Sequence, residues 1–470
     1  MGDKKVLGVK DLILMTVVAI FCIRQIPNVA PYGASSVVLW IIAACSFFLP
    51  LSMVCGELST GWPEEGGLYV WIREAFGSRL GWLAVFLYIC SCMVYFPVML
   101  QFVVASVGFV FDEALASNKV FIGITSMIVF WILTIINIRG MKATKKLINF
   151  TTIFGIFVPG AILVLLTIYW LASGHPMATD YGTISNWIPD LSRWDTIVFL
   201  SSMMFAFSGM EISLMFAGHT KNPQKIFPVA IFWSALIILA LYLVGTFCLN
   251  VMFPSQDANI VAGIMQAIKV AATELNLMWL LPAMGVMTAL GAIGQTNAWL
   301  IGPIYMLNAA SGEHHILGKK ISELHPKYRT PSFALYVQAC LVSFFCLFSF
   351  ITPSAEAAYW ALSAMTILFY FVQYLLVFAA YYKLRITKKD VKRTFVIPGK
   401  VLPVILPALG FISIVFALVL AVIPPAQIDM GNKIIYELQT IGGLVVAAIV
   451  GDLLYRRAIR RHSAARPTLK

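Results

Sequence analysis

The feature that most constrains the fold of this chain is a succession of uninterrupted apolar runs, each about 20 residues long. Runs of this length match helices that cross the hydrocarbon core of a bilayer, whereas a membrane barrel needs shorter segments of alternating polarity. Of the 470 residues, 60% are hydrophobic and only 11% are charged, which is too little charge to cover a soluble globule. The sequence therefore predicts an all-α polytopic protein in a lipid bilayer, and it excludes a disordered chain, a disulfide scaffold and a large soluble domain.

Charged residues and Gly/Pro clusters divide these runs into twelve predicted spans. They lie at 11–33, 36–56, 80–111, 120–138, 148–172, 194–217, 226–252, 279–308, 332–352, 355–383, 402–423 and 434–455. An even number places both termini on one side, and the other side then carries only Lys119, Arg193, Lys269 and Lys433, so the termini are predicted to be cytoplasmic. The net charge of +12 belongs to these flanking loops and to anionic lipid, and it does not indicate a nucleic-acid partner.

Two short segments, 64–77 and 258–276, are predicted to be interfacial helices that follow spans 2 and 7. This spacing indicates two repeats of five spans, and because five is odd the second repeat must be inverted in the membrane. The predicted domains are a cytoplasmic N-terminus at 1–10, a first repeat at 11–172, a second repeat at 194–383, two further spans at 402–455 and a basic cytoplasmic C-terminus at 456–470. No cleaved signal peptide is expected.

In such a repeat the first helix is broken near the membrane midplane, and spans 1 and 6 carry the interruptions. These are Gln25, Pro27, Asn28, Pro31, Tyr32 and Gly33 in span 1, and Ser208, Gly209 and Glu211 in span 6. The N-terminal end of a half helix attracts a carboxylate and its C-terminal end attracts a cation. A ligand with both charges suits this site, and an amino acid is the simplest one.

Two ionisable side chains lie deep in predicted spans. Arg24 comes 13 residues after Asp11, and Glu211 comes 16 residues after Asp195. A charge at this depth costs at least about 2.5 kcal/mol on insertion scales, so each needs a partner or a hydrated cavity. The two residues either pair with each other and hold spans 1 and 6 together, or at least one faces a substrate or proton path.

Polar and aromatic residues interrupt other spans that could line this path. Span 8 has Gln295, Thr296, Asn297 and Trp299, span 10 has Tyr370 and Tyr374 one turn apart, and span 3 has Tyr88, Cys92 and Tyr95. Aromatic residues at helical spacing also serve simple packing. The eight cysteines and six histidines are scattered without the spacing of metal ligands, so no metal, cofactor or catalytic residue is predicted, and the chain is not expected to be an enzyme.

Five short motifs resemble those of the amino acid, polyamine and organocation transporter superfamily, and most closely its bacterial glutamate:γ-aminobutyrate antiporter family. They are GELSTGWPEEGG at 56–67, SGME at 208–211, KNP at 221–223, AWLIGP at 298–303 and KRTFVIPG at 392–399. The resemblance extends over nearly the whole chain. It implies twelve helices in a LeuT-type inverted-repeat fold, a bacterial inner-membrane location and an amino acid substrate.

By position, the resemblance implies that Glu211 is the acid after the unwound part of span 6, that Trp299 is a pathway aromatic, and that Tyr370 and Tyr374 are tyrosines of span 10. Arg24 and Gln25 depart from the pattern, since glutamate exchangers have an aromatic and an acid there. Gln295 likewise replaces an expected carboxylate. The resemblance therefore implies amino-acid transport and leaves the exchanged pair open.

The leading hypothesis is an amino-acid antiporter that rocks spans 1, 2, 6 and 7 against spans 3, 4, 8 and 9. The substrate α-carboxylate is expected on N–H groups near Tyr32 and Gly33, and its α-amino group on carbonyls around 206–209. The predicted substrate-binding residues are Ile23, Arg24, Pro27, Asn28, Tyr32, Gly33, Ala206, Phe207, Ser208, Gly209, Gln295, Trp299, Tyr370 and Tyr374, with Glu211 and Arg24 in charge coupling. The predicted partners are an amino acid and, for an exchanger, its decarboxylated product.

Three alternatives stay open. The first is a proton-coupled uniporter or symporter for neutral amino acids, in which Glu211 carries the proton. The others are an amino-acid sensor that does not transport and a channel. No signalling domain and no continuous polar helix face supports either of these two.

Overall fold

The computed structural model describes residues 7–64, 66–112, 114–189, 197–214, 219–254, 263–312, 316–347, 355–425, 428 and 430–465. These residues are mostly helical, and within them the only β-type pairing is an isolated bridge between Leu7 and Thr220. Eight of the helices are long and apolar enough to cross a bilayer. The all-helical membrane class is therefore confirmed, and the count of twelve spans stays a prediction.

The α-helices of the described residues follow one another along the chain with short connections. They are α1 (Val9–Ile20), α2 (Ser35–Ala43), α3 (Leu49–Gly61), α4 (Leu68–Phe76), α5 (Ser78–Phe111), α6 (Lys119–Ile138), α7 (Met141–Thr152), α8 (Val158–Ala172), α9 (Phe199–Ala206), α10 (Pro223–Met252), α11 (Gly263–Glu274), α12 (Leu280–Gly312), α13 (Lys319–Ser322), α14 (Ser332–Leu347), α15 (Ala355–Thr387), α16 (Leu402–Val422) and α17 (Lys433–Ala465). The π-helical turns Ala44–Phe48 and Ile153–Phe157 connect α2 to α3 and α7 to α8 without a gap.

Span 1 is interrupted, as its sequence predicts, but the interruption is longer than a local break. Helix α1 ends at Ile20, and 3₁₀ turns at Ile23–Gln25 and Pro27–Tyr32 follow before α2 begins. Proline has no N–H to donate, and its ring collides with the carbonyl four residues earlier in an α-helix. Two prolines four residues apart therefore keep this segment out of the α conformation.

Span 6 is also interrupted, at the position that its sequence predicts. Helix α9 ends at Ala206, and Gly209 follows with a φ of 112°. This left-handed region is strained for any residue with a Cβ, so glycine is required there. The start of the predicted span at 194–196 and its end at 215–217 lie outside the described residues.

Both short predicted segments contain helices. Helix α4 lies within 64–77 and buries most of its apolar side chains, and α11 occupies the described part of 258–276. The residues 258–262 lie outside the described part of the chain. Their placement at a membrane interface stays a prediction.

The helices α5 and α15 are the most central of the candidate spans, with 78% of their apolar windows buried. Helix α5 packs against both α12 and α15. The crossing of the Ile153–Phe157 turn over α12 is very close, since a Cβ on Gly155 would stand 2.2 Å from the backbone nitrogen of Gly291. The two interrupted segments lie beside these central helices, which supply most of the side chains that contact them.

Candidate functional site

The backbone groups freed at the end of α1 are capped by side chains of neighbouring helices. Trp299 donates from Nε1 to the carbonyl of Ala19 at 2.7 Å, and Gln295 donates from Nε2 to the same carbonyl at 3.1 Å. The hydroxyl of Tyr242 lies 3.0 Å from the carbonyl oxygen of Ile20 and 3.1 Å from that of Ala206. Because buried carbonyls need donors, these contacts connect both broken spans to α10 and α12.

Arg24 lies on the first 3₁₀ turn with its side chain almost completely buried, at 1% exposure. Its guanidinium donates to the hydroxyl oxygens of Tyr95 and Tyr359 and also lies over both rings. Among the described residues no carboxylate lies within ion-pair distance of it, and its Nε has no acceptor. A buried guanidinium therefore has neutral partners only, and it keeps donor capacity for an anion.

Glu211 lies just after the break in span 6 and is completely buried. Three hydroxyls donate to its carboxylate: that of Tyr374 to Oε2 at 2.6 Å, that of Tyr88 to Oε1 at 3.1 Å, and that of Tyr370 to Oε1. The backbone N–H of Gly209 donates in turn to the Tyr374 hydroxyl at 3.0 Å. No cation of the described residues pairs with this carboxylate. The acid is therefore stabilised by hydrogen bonds, and its charge is open to a proton or a substrate ammonium.

Aromatic rings fill the space between these two charges. The Trp299 ring lies 5.4 Å from that of Tyr95, which contacts Arg24, and 5.3 Å from that of Tyr370, which contacts Glu211. Trp299 itself is 2% exposed. Arg24, Trp299 and Glu211 thus form a continuous buried column that is closed to both sides. We call it the central column.

A second polar group lies beside the column. The side-chain amide of Asn28 donates to Gln25 Oε1 at 2.8 Å and to Ser202 Oγ at 3.0 Å. These contacts join the interrupted segment of span 1 to α9. Asn28 Oδ1 and the Oγ of Ser208 are buried without a partner among the described residues, so both are available to a ligand.

The structure brings Arg24, Glu211, Trp299, Tyr370 and Tyr374 into the central column, and Gln295, Ala206 and Gly209 contact its edges. It places other predicted residues elsewhere. The carbonyl of Gly33 accepts from Asn250 at 2.9 Å, near the start of α2, and the carbonyl of the half-buried Tyr32 accepts from a serine of α2. Pro27 lies in the second 3₁₀ turn.

Phe207 and Ile23 face apolar surroundings in this closed arrangement. Phe207 stacks on Phe48 with ring centroids 4.6 Å apart, and it packs edge-on against Trp40. Ile23 lines an apolar cavity between the interrupted segment, α8 and α10. Their predicted contact with substrate stays a prediction.

Arg24 and Glu211 do not form an ion pair in this arrangement, because each takes its described hydrogen bonds from tyrosines. The interpretation as a mutual structural pair is therefore not supported by this conformation. Among the described residues, no group of three His, Cys, Asp or Glu side chains could hold a metal ion.

Sequence reasoning missed Tyr359 and Tyr242 as well as the acid Glu57, which lies completely buried in α3. A periodic signal for the first existed: Tyr359 precedes Tyr370 by three helical turns, so both occupy one face of α15. No comparable pattern marked Tyr242, whose hydroxyl acts only because two separate spans end beside it.

Comparison with known proteins gives a family and several relatives. A family model described as amino acid permease matches residues 7–446. A Legionella pneumophila protein described as an uncharacterized transporter is 32% identical over 97% of both chains. A glutamate/γ-aminobutyrate antiporter of Lactococcus lactis is 26% identical over 97% of this chain and 91% of its own. A probable agmatine/putrescine antiporter of the same species is 23% identical over 98% of this chain and 96% of its own.

Proposed function

Because this chain belongs to the amino acid permease family, we propose that it is an amino-acid antiporter that works by alternating access. Membership makes it a multi-pass membrane transporter rather than an enzyme. The proposal includes twelve spans, an inverted five-plus-five repeat, a bacterial inner membrane and cytoplasmic termini. The two interrupted segments that frame one buried polar site support this architecture.

The observation that carries the proposal is the unneutralised guanidinium of Arg24 on an interrupted segment. Burying a charge without a counter-charge is unfavourable, so such a group is retained where a ligand supplies the missing charge. A second substrate carboxylate, or another group rich in acceptors, would displace the hydroxyls of Tyr95 and Tyr359 and take their hydrogen bonds. Arg24 thus selects for an anionic side group.

The zwitterionic part of the substrate would bind at the helix breaks. Its α-carboxylate would bind N–H groups near Tyr32 and Gly33, which precede the start of α2, where the helix dipole is positive. Its α-amino group would bind the carbonyls around 206–209, next to Glu211. In the closed arrangement the Ala206 carbonyl accepts from Tyr242, so substrate must compete with that hydroxyl or lengthen its bond.

The same charge argues against cationic substrates. Agmatine and putrescine carry positive charges at both ends, and a buried guanidinium within the site repels them. A relative described as a probable agmatine/putrescine antiporter is therefore not a guide to the substrate of this chain. The exchanged pair would be an acidic or acceptor-rich amino acid and its decarboxylated product.

Counterflow in proteoliposomes tests the proposal. Vesicles loaded with one unlabelled amino acid should transiently accumulate label from outside, in a panel of the twenty amino acids and their decarboxylation products at pH 5 and pH 7. We expect the strongest signal from a substrate with a second carboxylate and none from agmatine. Absence of counterflow for every compound would contradict antiport and favour a sensor or a channel.

One observation favours a second candidate, a proton-coupled uniporter or symporter. The Glu211 carboxylate has three hydroxyl donors and no paired cation among the described residues, which is an environment that a protonated acid also tolerates. In that case, uptake into empty vesicles would follow an imposed pH gradient. An antiporter instead needs internal substrate.

A further inference from the structure

Two motifs that the transport site leaves unexplained meet at one end of the structure. They are GELSTG at 56–61, which ends α3, and KRTFVI at 392–397, which follows α15. The carboxylate of Glu57 is buried between them and accepts three hydrogen bonds. Arg385 donates to Oε2 at 2.6 Å, Arg393 donates to Oε1 at 2.9 Å, and the backbone N–H of Ile397 donates to Oε2 at 2.8 Å.

The segment 388–397, which we call the strap, lies directly on the end of α3. The Oγ1 of Thr60 lies 3.3 Å from the backbone nitrogen of Phe395 and 3.2 Å from its carbonyl oxygen. A Cβ on Gly56 would stand 3.2 Å from the Phe395 ring, and one on Gly61 would stand 3.3 Å from the side chain of Arg393. The two glycines thus leave room for the strap, so the two motifs form one contact.

The strap also reaches the start of α10. The hydroxyl of Thr394 donates to the carbonyl of Gln224 at 2.8 Å, and the Gln224 side chain donates to the carbonyl of Thr60 at 3.3 Å. Helices α3 and α10 are spans 2 and 7 of the predicted moving bundle. The strap therefore fastens the ends of two moving spans to the end of α15.

Helix α15 connects this contact to the central column. Tyr359 contacts Arg24, Tyr374 contacts Glu211, and Arg385 contacts Glu57. At about 1.5 Å per residue, neighbouring stations are about 16 to 22 Å apart along one continuous helix. A displacement of α3 from the strap would thus be sensed by the helix that holds both site charges.

We propose that Glu57, Arg385 and Arg393 form a latch that keeps the predicted cytoplasmic side closed and that must open for substrate release. The proposal rests on the proposed function and adds a gate to it. The pair is well placed to open, because the Arg385 side chain is 28% exposed and can be rehydrated when it leaves the carboxylate. A completely dry pair would leave an unsolvated charge on separation and would act as a permanent staple.

The first test measures cytoplasmic access to Cys92, in a chain whose other seven cysteines are replaced. Cys92 is buried on α5, one turn after Tyr88, which contacts Glu211. With Glu57→Gln, labelling by an impermeant thiol reagent from the cytoplasmic side should accelerate about tenfold or more, and Glu57→Asp should restore slow labelling. An Asp452→Asn control breaks the more exposed ion pair with Arg79 and should not change the rate. Equal labelling of Glu57→Gln and the wild type would overturn the latch.

The second test does not depend on the folding of Glu57→Gln. Thr60→Cys with Phe395→Cys, in a chain otherwise free of cysteine, can be cross-linked by a short bifunctional thiol reagent with a cleavable disulfide. We expect cross-linking to remove at least nine-tenths of counterflow and reduction to restore it. Cross-linking Arg79→Cys to Asp452→Cys is the control and should leave counterflow intact. Full counterflow with the strap fastened would overturn the latch.

The two proposals fail in different ways. If the reduced protein shows no counterflow with any amino acid, the antiport proposal fails, while Cys92 labelling still decides whether the latch exists. If counterflow is normal and both latch tests are negative, only the latch fails.

Discussion

Arg24 and Glu57 are both buried charges on adjoining spans, and their partners differ in kind. Arg24 has two tyrosine hydroxyls and no carboxylate among the described residues, whereas Glu57 has two arginines and a backbone N–H. The net charge near Arg24 is uncompensated, and that near Glu57 is more than compensated. The difference separates a site that awaits a charged ligand from a contact that the protein completes by itself.

This difference explains how one fold can combine selectivity with closure. An uncompensated charge gains most from a ligand of opposite sign, so it discriminates among substrates. A compensated charge gains nothing from the substrate, so it responds to the positions of the helices that carry its partners. Glu211 lies between these cases, since hydroxyls stabilise it without neutralising it.

The strongest test of the comparison is Arg24→Ala. Loss of a hydrogen-bonded, buried charge pair costs about 2 to 5 kcal/mol, so uptake of a substrate with a second carboxylate should fall by about 100-fold or more. Transport could instead shift to neutral amino acids, and the competition panel measures both outcomes. The variant should still insert and elute as a single species.

The double variant with Glu211→Gln is the control for a structural role of Arg24. If the two residues stabilise each other in some other conformation, each single variant should lose folded protein and the double variant should recover folding and transport together. Recovery of transport would remove Arg24 from the substrate site.

Trp299→Ala should have the next largest effect, a loss of about 10- to 100-fold in transport with a modest fall in Tm. Its ring closes the column between the two charges, and its N–H caps a broken-helix carbonyl. Trp82→Ala is a matched control, because Trp82 is equally buried and donates one hydrogen bond to the carbonyl of Gly451. Parallel losses of activity and folded protein in both variants would support a packing role only.

Glu211→Gln should remove most of the pH dependence of uptake and leave substrate binding measurable. Glutamine is nearly isosteric, keeps an acceptor for the tyrosine hydroxyls and cannot release a proton. The ratio of uptake at pH 5 to that at pH 7 should move close to one. A variant with the full wild-type pH profile would place the sensor elsewhere, and the histidines His219 and His325 would be the next candidates.

The sequence predicted the parts of the column that depend on local pattern. The prolines of span 1, the glycine at 209 and the tyrosines one turn apart are visible as residue types and spacing, and the structure places them at the two breaks and beside Glu211. Arg24 was identified because a charge inside an apolar run is rare.

The remaining contacts depend on which helices become neighbours. The partners of Glu57 are more than 300 residues away in sequence, and Glu57 lies just past the predicted end of span 2 at residue 56, where a charge is unremarkable. The π-helical turn that continues α2 into α3 extends that span to Gly61 and buries the acid. Hydrophobic periodicity contains no information on such distant pairing.

The finest test compares one substitution at two positions of α15. Tyr359→Phe removes a hydroxyl acceptor from Arg24, which has no carboxylate, whereas Tyr381→Phe removes one from Arg385, which keeps Glu57. A single hydrogen bond contributes about 0.5 to 1.5 kcal/mol net, so Tyr359→Phe should change the KM of exchange by about 2- to 12-fold. Tyr381→Phe should change it by less than about twofold, because the charge of Arg385 stays neutralised. A larger effect at Tyr381 than at Tyr359 would mean that charge compensation is not what separates the ligand site from the latch.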